Sequence, residues 1–155
     1  MSNQTGTVKL HRVLRAPVAR VYQAFTQQHA LEYWLPPFGF IGKIDDMDVR
    51  VGGGYRMSFM NFSTGLLHAF SVRFIELKPN ERICHTDRFE DESLSGEMRV
   101  SIELTPVSCG TELRICQQGI PALIPVESCY LGWQESLIQL AHLVEPEMSS
   151  DQSAL

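Results

Sequence analysis

Apolar and polar residues alternate along much of the chain, and this period of two predicts β-strands. In the segment EMRVSIEL (97–104), apolar side chains occupy the even positions from 98 to 104 and polar or charged side chains occupy the odd ones. Such one-sided alternation is typical of an antiparallel sheet with one covered face and one wet face. Segments of this kind predict about six to seven strands, over residues 7–14, 40–51, 55–60, 68–77, 81–89, 97–104 and 111–117.

A helical period predicts two short helices after the first strand and one long helix near the end of the chain. The short helices cover residues 18–25 and a turn through Ala30 to Trp34. The long helix runs from Pro125 to Glu145, about five turns, and is expected to cover the sheet. We expect Gly132, inside it, to allow close approach to a strand, although a simply tolerated glycine stays open. The apolar stripe comprises Val126, Tyr130, Trp133, Leu137, Leu140 and Val144.

Three consecutive glycines, Gly52 to Gly54, raise the question of a phosphate-binding loop. Neither GxxxxGK[ST] nor GxGxxG is present, and the residues that follow alternate as a strand rather than forming a helix. The glycines are therefore interpreted as a turn between antiparallel strands.

Composition narrows the class of protein. The 155 residues include 44% hydrophobic and 20% charged residues, with a formal net charge of −5, which is ordinary for a globular domain. The basic residues are scattered, so neither nucleic acid nor a membrane is expected as a partner. We expect a single domain over 1–155, ordered over about 7–145 with a flexible tail at 146–155. The cytoplasm is the expected location, because residues 1–12 lack the apolar core of a signal peptide.

No motif for a metal, a cofactor or a catalytic nucleophile stands out. The four cysteines, at 84, 109, 116 and 129, lack zinc-type spacing, and neither GxSxG nor HExxH occurs. We therefore expect no metal and no cofactor, and an enzyme is the less favoured class.

Six segments, in this order along the chain, carry a family resemblance: APVARVYQAFT (16–26), YWLPPFGF (33–40), DVRVGGGYRMSF (48–59), ELKPNERICHTD (76–87), VSIELTPVSCGTELRI (100–115) and GWQESLIQLAHLV (132–144). Together they make the chain resemble the family named after the activator of heat-shock protein 90 ATPase, within the START/Bet v 1-like (SRPBCC) superfamily. The resemblance implies an α+β helix-grip fold, in which a curved antiparallel sheet wraps around a long C-terminal helix.

The same resemblance implies a cavity between sheet and helix, which relatives use for apolar small molecules. Some relatives are cyclases or dehydratases, and many only bind. The co-chaperone that names the family carries an additional N-terminal chaperone-binding domain, whereas this chain begins directly with its first strand. Chaperone contact is therefore not expected.

The side chains expected to line such a cavity follow from strand and helix parity. Trp34 and the loop containing Phe38 form either a lid at the mouth or a packed corner. That the aromatic residues interdigitate and leave no cavity stays open on the pattern alone. The candidate ligand-binding residues are Trp34, Phe38, Tyr55, Met57, Phe59, Phe70, Val72, His85, Tyr130 and Trp133, with Phe74 on the same inward parity.

His85 and Asp87 are the one ionisable pair on a predicted strand that suggests chemistry. If both face inward, Asp87 can orient the imidazole for acid–base work. Ile83 and Phe89 share their parity and favour an inward face, but we expect the pair on the wet edge of the sheet.

Three functional hypotheses follow. The favoured one is binding of a small hydrophobic or amphipathic molecule between the sheet and the C-terminal helix, in a protein of the stress response. The first alternative is a cyclase-like or dehydratase-like enzyme acting on a polyketide-like ligand in the same cavity. The second is protein interaction, either as a regulator of a chaperone ATPase or as a homodimer built on a sheet edge.

Overall fold

The structure, a computed structural model, describes residues 5–146, which form a seven-stranded sheet and three α-helices. The tail expected to be flexible lies, apart from Pro146, outside these residues. The elements are β1 (Gly6–Leu14), α1 (Val18–Thr26), α2 (Gln28–Trp34), β2 (Phe40–Asp45), β3 (Gly54–Asn61), β4 (Leu67–Lys78), β5 (Arg82–Phe89), a 3-10 turn (Glu92–Leu94), β6 (Met98–Val107), β7 (Gly110–Ile120) and α3 (Val126–Val144).

The sheet is antiparallel throughout and curls into a half-barrel around α3. Its strand order is β1-β7-β6-β5-β4-β3-β2, so β1 and β2 form the two edges. Helices α1 and α2 carry the chain from one edge to the other. The α+β helix-grip prediction is therefore confirmed, including both short helices and the long C-terminal one.

Alternation along the strands places the core on the concave face. In β6 the even positions from Met98 to Leu104 are buried, while Arg99 and Glu103 are exposed. Because successive side chains of a strand point to opposite faces, one apolar set per strand fills the interior. This set meets α1, α2 and the C-terminal half of α3, where Leu137 and Val144 are buried.

The segment before the glycine run departs from the prediction. A strand was expected over residues 40–51, but β2 ends at Asp45 because Asp46 adopts a left-handed conformation with φ of 53°. The chain then turns back, and Asp48 N–H donates to Gly54 C=O over 2.8 Å.

The glycine run is a turn, as predicted, and close packing explains its composition. Gly52 has φ of 89°, a region that favours glycine. A Cβ at Gly54 would stand 1.8 Å from the carbonyl oxygen of Val72, so no larger residue fits beside β4. No helix within residues 5–146 has the length and apolar character needed to cross a membrane.

Candidate functional site

A cavity of about 190 Å³ lies between the concave face of the sheet and the N-terminal half of α3. An apolar cavity of about 150 Å³ is enough to hold one benzene molecule, so this one has room for a small organic compound. Its walls are formed by Phe25, Leu31, Trp34, Leu35, Pro37, Tyr55, Phe59, Phe70, Phe74, Ile83, His85, Asp87, Phe89, Met98, Val100, Ile102, Gln117, Gly132, Trp133 and Ser136.

Aromatic rings form much of the wall on the sheet side. Phe59 and Phe70 pair edge to face across β3 and β4, with ring centroids 5.4 Å apart. On the side of α1 and α2, the rings of Trp34 and Phe25 pair edge to face, with centroids 4.8 Å apart. The indole N–H of Trp34 donates to the Ala24 carbonyl over 2.8 Å. The aromatic pairs and this hydrogen bond hold the rings in place.

Helix α3 closes the cavity with residues that are themselves anchored. Trp133 donates its indole N–H to Gln117 Oε1 on β7 over 2.8 Å. Ser136 Oγ donates to the carbonyl oxygen of Leu35 over 2.6 Å. These two bonds tie the helix to the sheet on one side and to the end of α2 on the other.

Gly132 differs from its predicted role. It was expected to permit close approach to a strand, yet a Cβ built on it would meet nothing within 4 Å. Because Gly132 lines the cavity, its missing side chain leaves space that any larger residue would occupy.

His85 and Asp87 face inward, so the prediction that they lie on the wet edge of the sheet is wrong. Both are buried, with only 9% and 7% of their surfaces exposed, and His85 Nδ1 is hydrogen-bonded to Asp87 Oδ1. The reason is register: His85 pairs with Phe74 and Val100, and Asp87 pairs with Val72. A central strand with these neighbours directs its odd positions into the curled interior.

Tyr55 brings a third polar group to the same wall. It is 9% exposed, and its register partner Val72 is also the partner of Asp87. Burial raises the pKa of the Tyr55 hydroxyl, and the nearby Asp87 carboxylate raises it further, because each disfavours the phenolate. Tyr55 is therefore a protonated hydrogen-bond donor at neutral pH.

Six of the ten predicted ligand-binding residues line the cavity. Strand alternation identified the three on β3 and β4, because it sorts inner from outer positions, and the helical stripe identified the one on α3. They are Trp34, Tyr55, Phe59, Phe70, His85 and Trp133, and the inward-parity residue Phe74 joins them.

The other four lie elsewhere. Phe38 is 51% exposed and is not a lid over the cavity. Met57 is fully buried against Gly42, in the corner between β2 and α2. Val72 is buried between Tyr55 and Asp87 in its row of the sheet and does not line the cavity. Tyr130 points instead to β1, where its hydroxyl accepts from Lys9 N–H.

Several lining residues were not predicted. Met98, Val100 and Ile102 carried a signal, since their alternation already marked them as inward. Gln117 had none, because a polar residue near the end of a strand is usually assigned to the wet face. Within residues 5–146, no three His, Cys, Asp or Glu side chains are grouped as a metal site requires.

Comparison with known proteins agrees with this geometry. The sequence model of the family described as activator of Hsp90 ATPase homolog 1-like protein matches residues 15–145. A crystal structure of a protein from Chromobacterium violaceum is 57% identical, with a TM-score of 0.90, over 91% of this chain and 98% of that one.

More distant structures show the fold alone. A protein from Nitrosomonas europaea is 23% identical, with a TM-score of 0.76 over 95% of this chain and 96% of that one. A protein from Rhodobacter sphaeroides is 21% identical, with a TM-score of 0.79 over 90% and 95% of the respective chains. No curated protein matches the chain.

Proposed function

The chain belongs to the activator of Hsp90 ATPase homolog 1-like family of the SRPBCC superfamily, and on that premise we propose that it binds a small amphipathic molecule in the cavity under α3. The observation that carries the proposal is the 190 Å³ cavity itself, with aromatic walls and three polar side chains, Tyr55, His85 and Asp87. Ligand sites typically combine apolar walls with a few convergent polar groups.

The dimensions limit the ligand to a compact compound of about one or two rings. If binding removes roughly 250 Å² of apolar surface from water, the gain is about 6 kcal/mol. Lost motion on association opposes this gain. The expected dissociation constant therefore lies roughly between micromolar and millimolar, unless polar contacts add to it.

The test combines detection of a native ligand with titration of a defined probe. Native mass spectrometry of freshly purified protein should show added mass from a small molecule. Calorimetry with 1-naphthol should show one site, and Phe59→Ala should change its affinity by at least threefold. Phe62→Ala is the matched control, because Phe62 is 74% exposed and absent from the cavity wall. If both variants bind 1-naphthol as the unmodified protein does, the cavity is not the site.

A second candidate function is an enzyme that acts on the molecule held in this cavity. The observation that favours it is the buried hydrogen bond between His85 and Asp87, since a base and its orienting carboxylate need such contact. A cyclase-like or dehydratase-like reaction would use this pair.

A further inference from the structure

The inner face of β5 carries a polar pair inside an otherwise apolar wall. Ile83, His85, Asp87 and Phe89 follow one another at every second position, and all four line the cavity. Among the lining residues, only Tyr55, His85 and Asp87 are ionisable. Burying polar groups costs free energy unless they are hydrogen-bonded, and His85 and Asp87 offset that cost through their mutual hydrogen bond.

The hydrogen bond between the pair determines which nitrogen of His85 is available. Asp87, as a carboxylate, only accepts hydrogen bonds, so Nδ1 of His85 carries the proton that it donates. In a neutral imidazole the lone pair then lies on Nε2. His85 is thus set up as a proton acceptor through Nε2.

Nε2 of His85 and the hydroxyl of Tyr55 are both accessible from the cavity. Within residues 5–146, every side-chain nitrogen or oxygen that is sealed from solvent has a hydrogen-bond partner. Neither of these two atoms has a hydrogen-bond partner among the described residues, so neither is sealed. Because both residues line the cavity, that is the space into which the atoms open.

The two groups stand on either side of the Phe74 ring on the cavity wall. Tyr55 lies two strands from Asp87, through Val72 in the same row, a separation of about 10 Å at the backbone. The Phe74 ring lies between them, 6.0 Å from Tyr55 and 6.2 Å from the His85 ring. A proton acceptor and a hydrogen-bond donor therefore face one apolar space from separate positions on the same wall.

We propose that the cavity takes a small carbonyl compound, and that His85 Nε2 moves a proton at the carbon next to the carbonyl while the Tyr55 hydroxyl hydrogen-bonds the carbonyl oxygen. The proposal rests on the proposed function, because the compound must first bind in this cavity. It assigns the class of reaction as a cofactor-independent enolisation.

The step balances without a further reactant. The C–H bond breaks and its proton forms the Nε2–H bond, while the electron pair forms the C=C bond of the enolate. The carbonyl π pair moves to oxygen, where the Tyr55 O–H bond stabilises the charge. The Nε2 proton of the imidazolium, which Asp87 stabilises, exchanges with solvent, and the imidazolium then returns a proton to the same carbon or, in a conjugated enolate, to a more distant one. The products are an exchanged ketone or its double-bond isomer.

Hydrogen–deuterium exchange into 1-tetralone tests the step. Mass spectrometry measures exchange at carbon 2 in deuterated buffer. The full chain should give a rate well above the rate that an equal concentration of free imidazole gives. His85→Gln should reduce the accelerated rate by roughly 10²- to 10⁴-fold, and Tyr55→Phe by roughly 10²- to 10³-fold. The 1-naphthol dissociation constant is measured for both variants, and exchange is compared at saturating 1-tetralone, so that weaker binding is not counted as slower chemistry. His68→Gln, at an exposed histidine outside the cavity, is the matched control and should change neither quantity.

Asp87 is a positioning residue, and its test uses a spectroscopic signature. Nitrogen-15 NMR of the His85 ring should show Nδ1 protonated and Nε2 free in the unmodified protein, and Asp87→Asn should alter that tautomer. An unaltered tautomer in this variant would overturn the role of Asp87. Gly132→Leu gives an independent check, because it should block exchange without altering any of the three polar groups.

The outcomes separate this proposal from the binding function. Binding of 1-tetralone without exchange above the imidazole background overturns the enolisation and leaves binding intact. Exchange that persists in His85→Gln overturns it as well. If 1-naphthol binds and 1-tetralone does not, the substrate class is wrong; if neither binds, the proposed function fails too.

Discussion

Replacing Gly132 by leucine should stabilise the protein and at the same time abolish ligand binding. Gly132 lies inside α3 and lines the cavity, and a Cβ placed there meets no atom within 4 Å. The larger side chain therefore enters empty space rather than a neighbouring strand. A substitution that raises stability while removing function is not expected if the cavity is an accidental void.

The magnitude follows from two contributions. Glycine in a helix interior costs about 1 kcal/mol relative to alanine, and leucine is nearly as favourable as alanine. Complete burial of a methylene group contributes about 0.8 kcal/mol. For the whole leucine side chain we expect about 1 kcal/mol, because the cavity is partly open and the side chain would not be fully buried. The sum of about 2 kcal/mol corresponds to a rise of about 4–8 °C in Tm for a chain of this size.

Circular dichroism gives the Tm, and calorimetry with 1-naphthol gives the affinity. Gly132→Ala separates the two contributions: it should gain about 1 kcal/mol and retain binding, since one methyl group leaves most of the 190 Å³ free. Gln134→Leu, exposed on the same helix, is the matched control and should retain the affinity of the unmodified protein. The reasoning is refuted if Gly132→Leu binds 1-naphthol normally, or if it lowers stability by more than about 1 kcal/mol.

Three further predictions concern the fold and its pH dependence. Thr111→Val should lower the free energy of unfolding, measured in urea, by about 1–3 kcal/mol, because the buried Thr111 hydroxyl donates to Ala16 C=O over 2.7 Å. Thr105 is exposed, so an equal loss in Thr105→Val would contradict this. Gly54→Ala should cost more than about 4 kcal/mol, a value reserved for severe steric conflict, since its Cβ would collide with Val72. Gly65→Ala, at φ of 76° with free space around it, should cost only about 1–2 kcal/mol, and similar losses at both sites would disprove the collision. Burial and Asp87 raise the pKa of Tyr55 above its ordinary value, so the folded state holds a proton that the unfolded state releases, and stability should fall as pH rises through about 10. Tyr55→Phe should make that alkaline loss smaller, measured by urea unfolding at pH 7 and at pH 10.5, whereas Tyr33→Phe, 53% exposed, should leave it unchanged.

The sequence by itself determined the elements of this protein and their order. Alternation over 97–104 identified the buried face of β6, and the stripe from Val126 to Val144 identified α3, because both are local periodicities that any buried face requires. The turn at the glycine run was also predicted from sequence, since neither phosphate-binding motif accompanies it. Parity on the strands then found Tyr55 and Phe59 on the cavity side.

Only the tertiary structure decided which inward residues border empty space and which are packed. Tyr55 and Val72 share one row of the sheet, yet only the longer side chain reaches the cavity. Met57 has the same inward parity, but its side chain packs against Gly42 in the corner between β2 and α2. Whether a gap remains depends on how far the sheet curls away from α3. Many contacts between residues distant in sequence determine that distance, and such contacts produce no periodic pattern along the chain.

The orientation of His85 and Asp87 has the same physical origin. Polar residues on a strand are assigned by default to the wet face, because burying them is costly. Here the hydrogen bond between the two side chains offsets part of that cost, and strand pairing with β4 and β6 turns both toward the interior. The parity that the pair shares with Ile83 and Phe89 pointed to this face, but only pairing across the sheet shows that the face borders a cavity.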